Sequence, residues 1–127
     1  GEESPMNKKI LIADDEQNIV ISLEFLMKRE GFEVLVANDG EEAIRRIRAD
    51  QPDLVLLDVM MPKKSGFEVC QEIKADPALG GVRILMLTAK GRDTEVAKGL
   101  ALGADAYMTK PFSTRELVDK VRSMLEH

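Results

Sequence analysis

The feature that most constrains this chain is a series of short apolar segments separated by longer amphipathic ones. Four of these segments are continuously apolar, at 10–13, 34–37, 54–57 and 84–87, and a weaker fifth covers 104–108. A strand buried on both faces is apolar at every position, whereas a strand with one solvated face alternates. The pattern therefore predicts five strands of a parallel sheet, each followed by a helix.

The amphipathic segments predict five helices whose ends are visible in the sequence. Capping-box spacing occurs at three helix starts, in the pairs Asp39–Glu42, Ser65–Glu68 and Ser113–Glu116. Gly31 is placed to end the first helix. The predicted apolar faces comprise Ile19, Leu23 and Leu26 in the first helix, Ala43, Ile44 and Ile47 in the second, Val69 and Ile73 in the third, Val96 and Leu100 in the fourth, and Leu117, Val121 and Leu125 in the fifth.

Five strand–helix units imply right-handed crossovers with helices on both faces of the sheet. We predict an α/β fold in which a five-stranded parallel sheet forms a doubly wound, flavodoxin-like three-layer sandwich with strand order 2-1-3-4-5. A length of 127 residues suits one domain. We assign residues 1–7 to a polar leader or linker and residues 8–127 to the domain, and we allow for vector-derived residues at its end.

The composition disfavours some classes of partner and indicates a cellular compartment. The net charge is −5, which disfavours direct binding of nucleic acid, because such surfaces need clustered cations. Cys70 is the single cysteine, so no disulfide forms within the chain and a reducing cytoplasm is the expected compartment. No apolar run is long enough to span a bilayer, and we expect no membrane partner. The single histidine is His127, so we predict no histidine-based site.

Polar side chains stand at the carboxyl ends of four of the five predicted strands. Asp14 and Asp15 follow the first strand, Asp58 the third, Thr88 the fourth, and Lys110 the fifth. In the predicted order these four strands are neighbours, about 4.8 Å apart. Ligand sites in open α/β sheets form beyond the carboxyl ends of the strands. We therefore expect these side chains to converge on one cleft.

Three carboxylates in one cleft repel each other, by roughly 4 kcal/mol per pair at about 4 Å and an effective dielectric of about 20. Either one of them is protonated or a cation binds, and an all-oxygen site favours Mg²⁺ over zinc. A carboxylate can also attack phosphorus to form an aspartyl phosphate. Mg²⁺, the Lys110 ammonium, the Thr88 hydroxyl and the Ala89 amide would then stabilise the charge on the phosphoryl oxygens.

Four segments, ILIADDE, LVLLDVMMPKKSG, ILMLTAK and GADAYMTKPF, resemble the signature segments of receiver domains of bacterial two-component response regulators. The resemblance covers about residues 8–125. It implies that Asp58 is the phosphoacceptor, that Asp15 binds Mg²⁺ directly and that Asp14 acts through water or orientation. It further implies that the Met60 backbone carbonyl is a metal ligand, that Thr88 and Lys110 contact the phosphoryl group, that Tyr107 is a rotamer-switching aromatic, and that the Lys110–Pro111 bond is cis.

By the same resemblance, the function is that of a phosphoacceptor signalling switch and not of an enzyme, although such a domain takes part in its own phosphotransfer and autodephosphorylation. The expected partner is a sensor histidine kinase or a histidine phosphotransfer protein. Phosphorylation would change the surface of the fourth helix, fifth strand and fifth helix, which would contact an output domain or form a homodimer. The segment GADAYMTKPFSTREL resembles the winged-helix transcription-factor subfamily, which usually has a second Asp where this chain has Ala106.

Three alternatives remain open at this point. A haloacid-dehalogenase-like Mg²⁺ phosphohydrolase also uses an Asp nucleophile at a strand end, but it would need a second Asp where Met60 stands. A flavodoxin-like FMN carrier would need a hydroxyl-rich loop after the first strand, where this chain has Asp14, Asp15 and Glu16. A degenerate receiver that is not phosphorylated is the third alternative, and the complete set of site residues argues against it.

Overall fold

A computed structural model describes residues 8–89 and 91–126 of the chain. The predicted leader at residues 1–7, together with Lys90 and His127, lies outside the described residues. Within them, no helix has the length and apolar character needed to cross a membrane. The elements in chain order are β1 (Lys9–Ala13), α1 (Gln17–Arg29), β2 (Glu33–Ala37), α2 (Gly40–Asp50), β3 (Leu54–Asp58), α3 (Gly66–Lys74), a short 3-10 helix (Pro77–Leu79), β4 (Arg83–Ala89), α4 (Asp93–Ala101), β5 (Ala106–Lys110) and α5 (Thr114–Leu125).

The five strands form one parallel sheet in the order β2-β1-β3-β4-β5, which confirms the predicted topology. Strands β1, β3 and β4 are almost wholly buried, whereas β2 and β5 at the sheet edges are half-buried. Successive side chains of a strand point to opposite faces. One face of the sheet packs on α2 and α3, and the other packs on α1 and α5. The result is the predicted three-layer arrangement.

The local signals mostly produced the expected helix ends. Ser65 and Ser113 form complete capping boxes, in which the serine hydroxyl and the glutamate three residues later each accept a backbone N–H. Asp39 caps Glu42 N, but the Glu42 side chain accepts from Asn38 N instead of completing a box. Gly31 follows α1 with a φ of 95°, a left-handed conformation that favours glycine.

Two of the predictions about the last third of the chain are wrong. The fifth strand begins at Ala106, because the Asp105 carboxylate is engaged by the Ile84 N–H and the Lys74 ammonium in the turn that precedes it. In α4 the expected apolar stripe is absent, since Leu100 is 44% exposed and Gly99 is the buried residue of the helix. A Cβ at Gly99 would lie 3.2 Å from Met86 Cε, so glycine lets α4 approach β4 closely.

Candidate functional site

The site lies where the carboxyl ends of β1 and β3 meet. The chain leaves β1 toward β2 on one side and returns to β3 on the other, which makes this junction the topological switch point of the sheet. Register pairs Ala13 with Leu57, so Asp14 and Asp58, one residue further along each strand, lie side by side. Carboxylate oxygens of Asp14, Asp15 and Asp58 lie within 4.8 Å of one another. The predicted acidic cluster is therefore present.

The three carboxylates differ in burial. Asp14 is fully buried, and its Oδ1 accepts a hydrogen bond of 2.9 Å from the Glu16 backbone N–H. Asp58 is 7% exposed, whereas Asp15 is exposed to solvent. Asp14 is thus held in one orientation inside the protein, and Asp15 is the member of the cluster that faces solvent.

Lys110, the last residue of β5, extends across the end of β4 to this cluster. Its Nζ lies 3.1 Å from Asp14 Oδ2, 3.3 Å from Asp58 Oδ1 and 3.8 Å from Glu16 Oε1. The Lys110–Pro111 peptide bond that follows is cis, as the resemblance implied. Burial lowers the pKa of Lys110, but attraction to Asp58 and Asp14 outweighs burial and raises it overall. The ammonium therefore stays charged at neutral pH.

Burial, followed by repulsion from Asp14, raises the pKa of Asp58 from 3.8 to about 6. Lys110 and the Met60 backbone N–H pull the pKa of Asp58 down but do not offset the first two effects. A single ammonium within 4 Å of three carboxylates leaves an excess of negative charge. An all-oxygen, partly exposed cluster of this kind fits a hard divalent cation.

Thr88 adds an available donor. The residue is 1% exposed, and its Oγ1 has no hydrogen-bond partner among the described residues. Buried hydroxyls are nearly always paired, so an unpaired one requires an explanation. Its place in β4, one residue beyond the Leu87 that pairs with Asp58, puts it at the same edge of the sheet as the acidic cluster. An oxygen-rich anion on Asp58 would supply the missing acceptor.

The cluster opens into a cleft of about 330 Å³. Five predicted site residues, Asp15, Asp58, Met60, Ala89 and Lys110, line the cleft together with Glu16, Val59, Leu87 and Glu95. Asp14 and Thr88 are buried and do not form its walls. Tyr107 is not brought to the cleft, since it lies in the middle of β5 with 44% of its surface exposed.

Glu95 is a wall residue that the sequence analysis missed. It belongs to the first turn of α4, and its side chain is 17% exposed and lies 3.8 Å from the Arg92 guanidinium. Nothing in the spacing of the strand ends points to a residue of a helix. Its place in the cleft depends on the orientation of α4, which the sequence did not predict.

The family model of the response regulator receiver domain matches residues 10–122. The chain belongs to this family, whose members are the receiver domains of two-component signalling regulators and are not classical enzymes. The haloacid-dehalogenase-like alternative is therefore not favoured.

The relatives come from regulators of different kinds. The chain is 48% identical over 120 residues to the alkaline phosphatase synthesis transcriptional regulatory protein PhoP of Bacillus subtilis (strain 168), with 94% of this chain and 49% of that protein covered. It thus spans about half the length of this curated relative.

Two solved structures are also similar. The receiver domain of a signal transduction histidine kinase from Syntrophus aciditrophicus has a TM-score of 0.88 at 29% identity, with 94% and 91% of the two chains covered. The chemotaxis response regulator CheY4 of Vibrio cholerae has a TM-score of 0.87 at 30% identity, with 93% and 98% covered. The fold is therefore shared with receiver domains from a histidine kinase and from a chemotaxis response regulator.

Proposed function

We propose that Asp58 receives a phosphoryl group from a sensor histidine kinase or a histidine phosphotransfer protein, and that the domain is thereby switched. The observation that carries the proposal is the arrangement at Asp58, where Asp14, Asp15 and the Lys110 ammonium converge on one largely buried carboxylate that lines the cleft. Membership of the receiver family supports it. With a pKa near 6, most Asp58 carboxyls are ionised at neutral pH and can act as nucleophiles.

The proposed cofactor is Mg²⁺, held by Asp15 and Asp58 directly, by the Met60 backbone carbonyl, and by Asp14 through water or orientation. When bound, Mg²⁺ would offset the negative charge of the carboxylates and of the phosphoryl oxygens. The Thr88 hydroxyl, which has no hydrogen-bond partner among the described residues, supports an oxygen-rich anion at this place. The excess of carboxylates over cations supports a bound cation.

In the proposed transfer, an Asp58 carboxylate oxygen forms a bond to phosphorus while the phosphorus–nitrogen bond of the donor phosphohistidine breaks. The released imidazole nitrogen keeps the electron pair of that bond. The Lys110 ammonium balances the negative charge of the phosphoryl oxygens, and the Thr88 hydroxyl and the Ala89 N–H donate hydrogen bonds to them. In the proposed autodephosphorylation, a water oxygen forms a bond to the same phosphorus while the bond from phosphorus to the Asp58 oxygen breaks, which leaves the Asp58 carboxylate and inorganic phosphate.

The proposed output surface is formed by α4, β5 and α5. A phosphoryl group would draw the Thr88 hydroxyl toward the cleft, and this movement would vacate space that the Tyr107 side chain can fill. The surface would thereby shift between two conformations. This surface would act on an output domain or form a homodimer, and it would do so without contacting nucleic acid directly. We propose residues 8–127 as the domain that switches and the cytoplasm as its compartment, in keeping with the free thiol of the buried Cys70.

The test is phosphorylation by acetyl phosphate with and without Mg²⁺, followed by intact mass. We expect one added phosphoryl group that requires Mg²⁺, and none in Asp58→Asn, because an amide is not a nucleophile of this kind. Asp53→Asn is the matched control, since Asp53 lies at the opposite end of β3. Full labelling of Asp58→Asn would falsify the assignment of the phosphoacceptor.

A further inference from the structure

The loop 59–65, between β3 and α3, carries the Met60 carbonyl of the proposed metal site. Two backbone hydrogen bonds close the loop on itself, from Gly66 N to Val59 O at 2.9 Å and from Lys64 N to Pro62 O at 2.8 Å. Lys63 at its tip has a φ of 71°, a left-handed conformation. A short loop of this kind is positioned by the elements beside it as well as by its own bonds.

The loop 59–65 lies beside the first turn of α2. The Gly40 N–H donates to Pro62 O at 3.2 Å, and Lys63 Nζ lies 3.7 Å from Asp39 Oδ2. A Cβ on Gly40 would lie 2.0 Å from the Lys64 carbonyl oxygen and 2.6 Å from Lys64 Cβ. The φ of Gly40 is not positive, so the glycine is required here by the close approach of the loop and not by backbone conformation.

Neither α2 nor the loop 59–65 can move easily to relieve a clash at this contact. Ala43, Ile44 and Ile47 bury α2 against the sheet, and the Asp39 cap fixes its first turn. On the other side, the Lys64 ammonium is paired with Glu72 of α3. A side chain at residue 40 must therefore displace the loop backbone at Lys64. Met60 lies only four residues away in the same short loop, so its carbonyl would move as well.

We infer that Gly40, which does not line the cleft, is a positioning residue for the proposed cation site and sets the place of the Met60 carbonyl through its contact with Pro62 and Lys64. The inference rests on the proposed function, because it assumes that the cleft binds Mg²⁺. A misplaced outer partner of a metal ligand typically weakens binding by about 10- to 100-fold.

The experiment compares Gly40→Ala with Gly81→Ala in Mg²⁺ titrations followed by amide chemical shifts. A Cβ at Gly81 meets nothing within 4 Å, so Gly81→Ala is the matched control. We expect the dissociation constant for Mg²⁺ to rise roughly tenfold in Gly40→Ala and to stay at the wild-type value in Gly81→Ala. The amide shifts of Gly40→Ala also show whether the domain is folded, so weaker binding is counted only for a folded variant. A folded Gly40→Ala protein with wild-type affinity would overturn the inference.

A second measurement needs no variant. Coupling between two sites is reciprocal, so bound Mg²⁺ must in turn stabilise the Gly40–Pro62 hydrogen bond. Hydrogen exchange of the Gly40 amide in the wild type should slow several-fold at saturating Mg²⁺, and an unchanged rate would refute the positioning role even if Gly40→Ala does not fold. A wild type that binds no Mg²⁺ would instead refute the proposed function, so the two failures are distinguishable.

Discussion

The Lys110 ammonium lies 3.3 Å from Asp58 Oδ1, although 52 residues separate the two in the sequence. The same nitrogen lies 3.1 Å from Asp14 Oδ2. Lys110 therefore neutralises part of the cluster before any metal arrives, and it occupies carboxylate oxygens that a cation would otherwise use. Under the proposed function, Mg²⁺ and Lys110 would compete for the same carboxylate charge and would act together on a phosphoryl group.

Replacing Lys110 should separate these two effects. We expect Lys110→Met to bind Mg²⁺ several-fold more tightly, because the competing ammonium is gone. The same variant should be phosphorylated more slowly by acetyl phosphate, because the charge of the phosphoryl oxygens is less well balanced. Lys28→Met, on the surface of α1, makes the same change in net charge far from the cleft. Equal tightening in both variants would show that only the overall charge matters.

Asp15 should be the most important single side chain for metal binding, because it is the exposed carboxylate of the cluster. Asp15→Ala should weaken Mg²⁺ binding by at least tenfold. Wild-type protein should bind with a dissociation constant in the millimolar to sub-millimolar range, as expected for Mg²⁺ with few protein ligands. The titration is followed by amide shifts around the cleft. Wild-type affinity in Asp15→Ala would contradict the ligand assignment.

The raised pKa of Asp58 predicts a site that costs stability when no metal is present. The carboxyl binds its proton more tightly folded than unfolded, so its contribution is fully present below pH 3.8 and is lost as the pH rises through about 6. In the presence of a chelator, Asp58→Asn should therefore be more stable than wild type at neutral pH, by up to roughly 3 kcal/mol.

Denaturant unfolding across this pH range tests the stability prediction. The difference between Asp58→Asn and wild type should shrink toward zero below pH 3.8, where the Asp58 carboxyl is protonated and, like the asparagine amide, carries no charge. A stabilisation that is independent of pH would point to packing instead of ionisation as its cause.

The Thr88 hydroxyl, for which the described part of the chain offers no hydrogen-bond partner, should be the link between the cleft and the proposed output surface. A phosphoryl mimic such as beryllofluoride should change amide exchange across about residues 88–112 in wild type. Thr88→Ser, which keeps the hydroxyl, should retain this response, and Thr88→Ala should confine it to the loop after Asp58. An undiminished response in Thr88→Ala would remove the case for this route.

The lifetime of the phosphorylated state should depend on Met60, whose side chain lines the cleft and is 70% exposed. Its bulk hinders water and it cannot orient water by hydrogen bonding, so Met60→Asn should lose phosphate several-fold faster. Mg²⁺ affinity should stay within a factor of about three, because the carbonyl ligand survives the change. The measurement is the decay of the phosphorylated protein after removal of the phosphodonor. Lys63→Asn is the control in the same loop. Unchanged decay in Met60→Asn would show that it does not control access of water. Lys90, which follows Thr88 by two positions as Met60 follows Asp58, lies outside the described residues.

The strand positions and the acidic cluster were predictable because both follow from short-range signals, whereas the strand order was predicted from the order of flavodoxin-like sheets. Buried strands are apolar at every position, and polar residues at their ends share one edge of a parallel sheet. Ser65 and Ser113 likewise fixed two helix starts through contacts within four residues. These signals are local, and formation of the parallel sheet then brings the polar residues at the strand ends to one edge.

The features that were not predicted depend on packing between elements. The place of Glu95 in the cleft follows from the orientation of α4, which is set by the close approach at Gly99. Glycine carries no apolar signal, so periodicity favoured Leu100 instead. The contact between Gly40 and the loop after Asp58 could not be predicted for the same reason. The sequence shows that residue 40 has no side chain, but not which atoms of another segment occupy that space.

Helix α4 buries a single residue, Gly99, and its other side chains are exposed or half-buried. Substitutions on the outer side of such a helix remove little apolar contact, so they cost little folding free energy. Side chains on this part of the proposed output surface can therefore change while the buried strands stay the same. Under that proposal, α4 is the natural place for residues that distinguish one output partner from another.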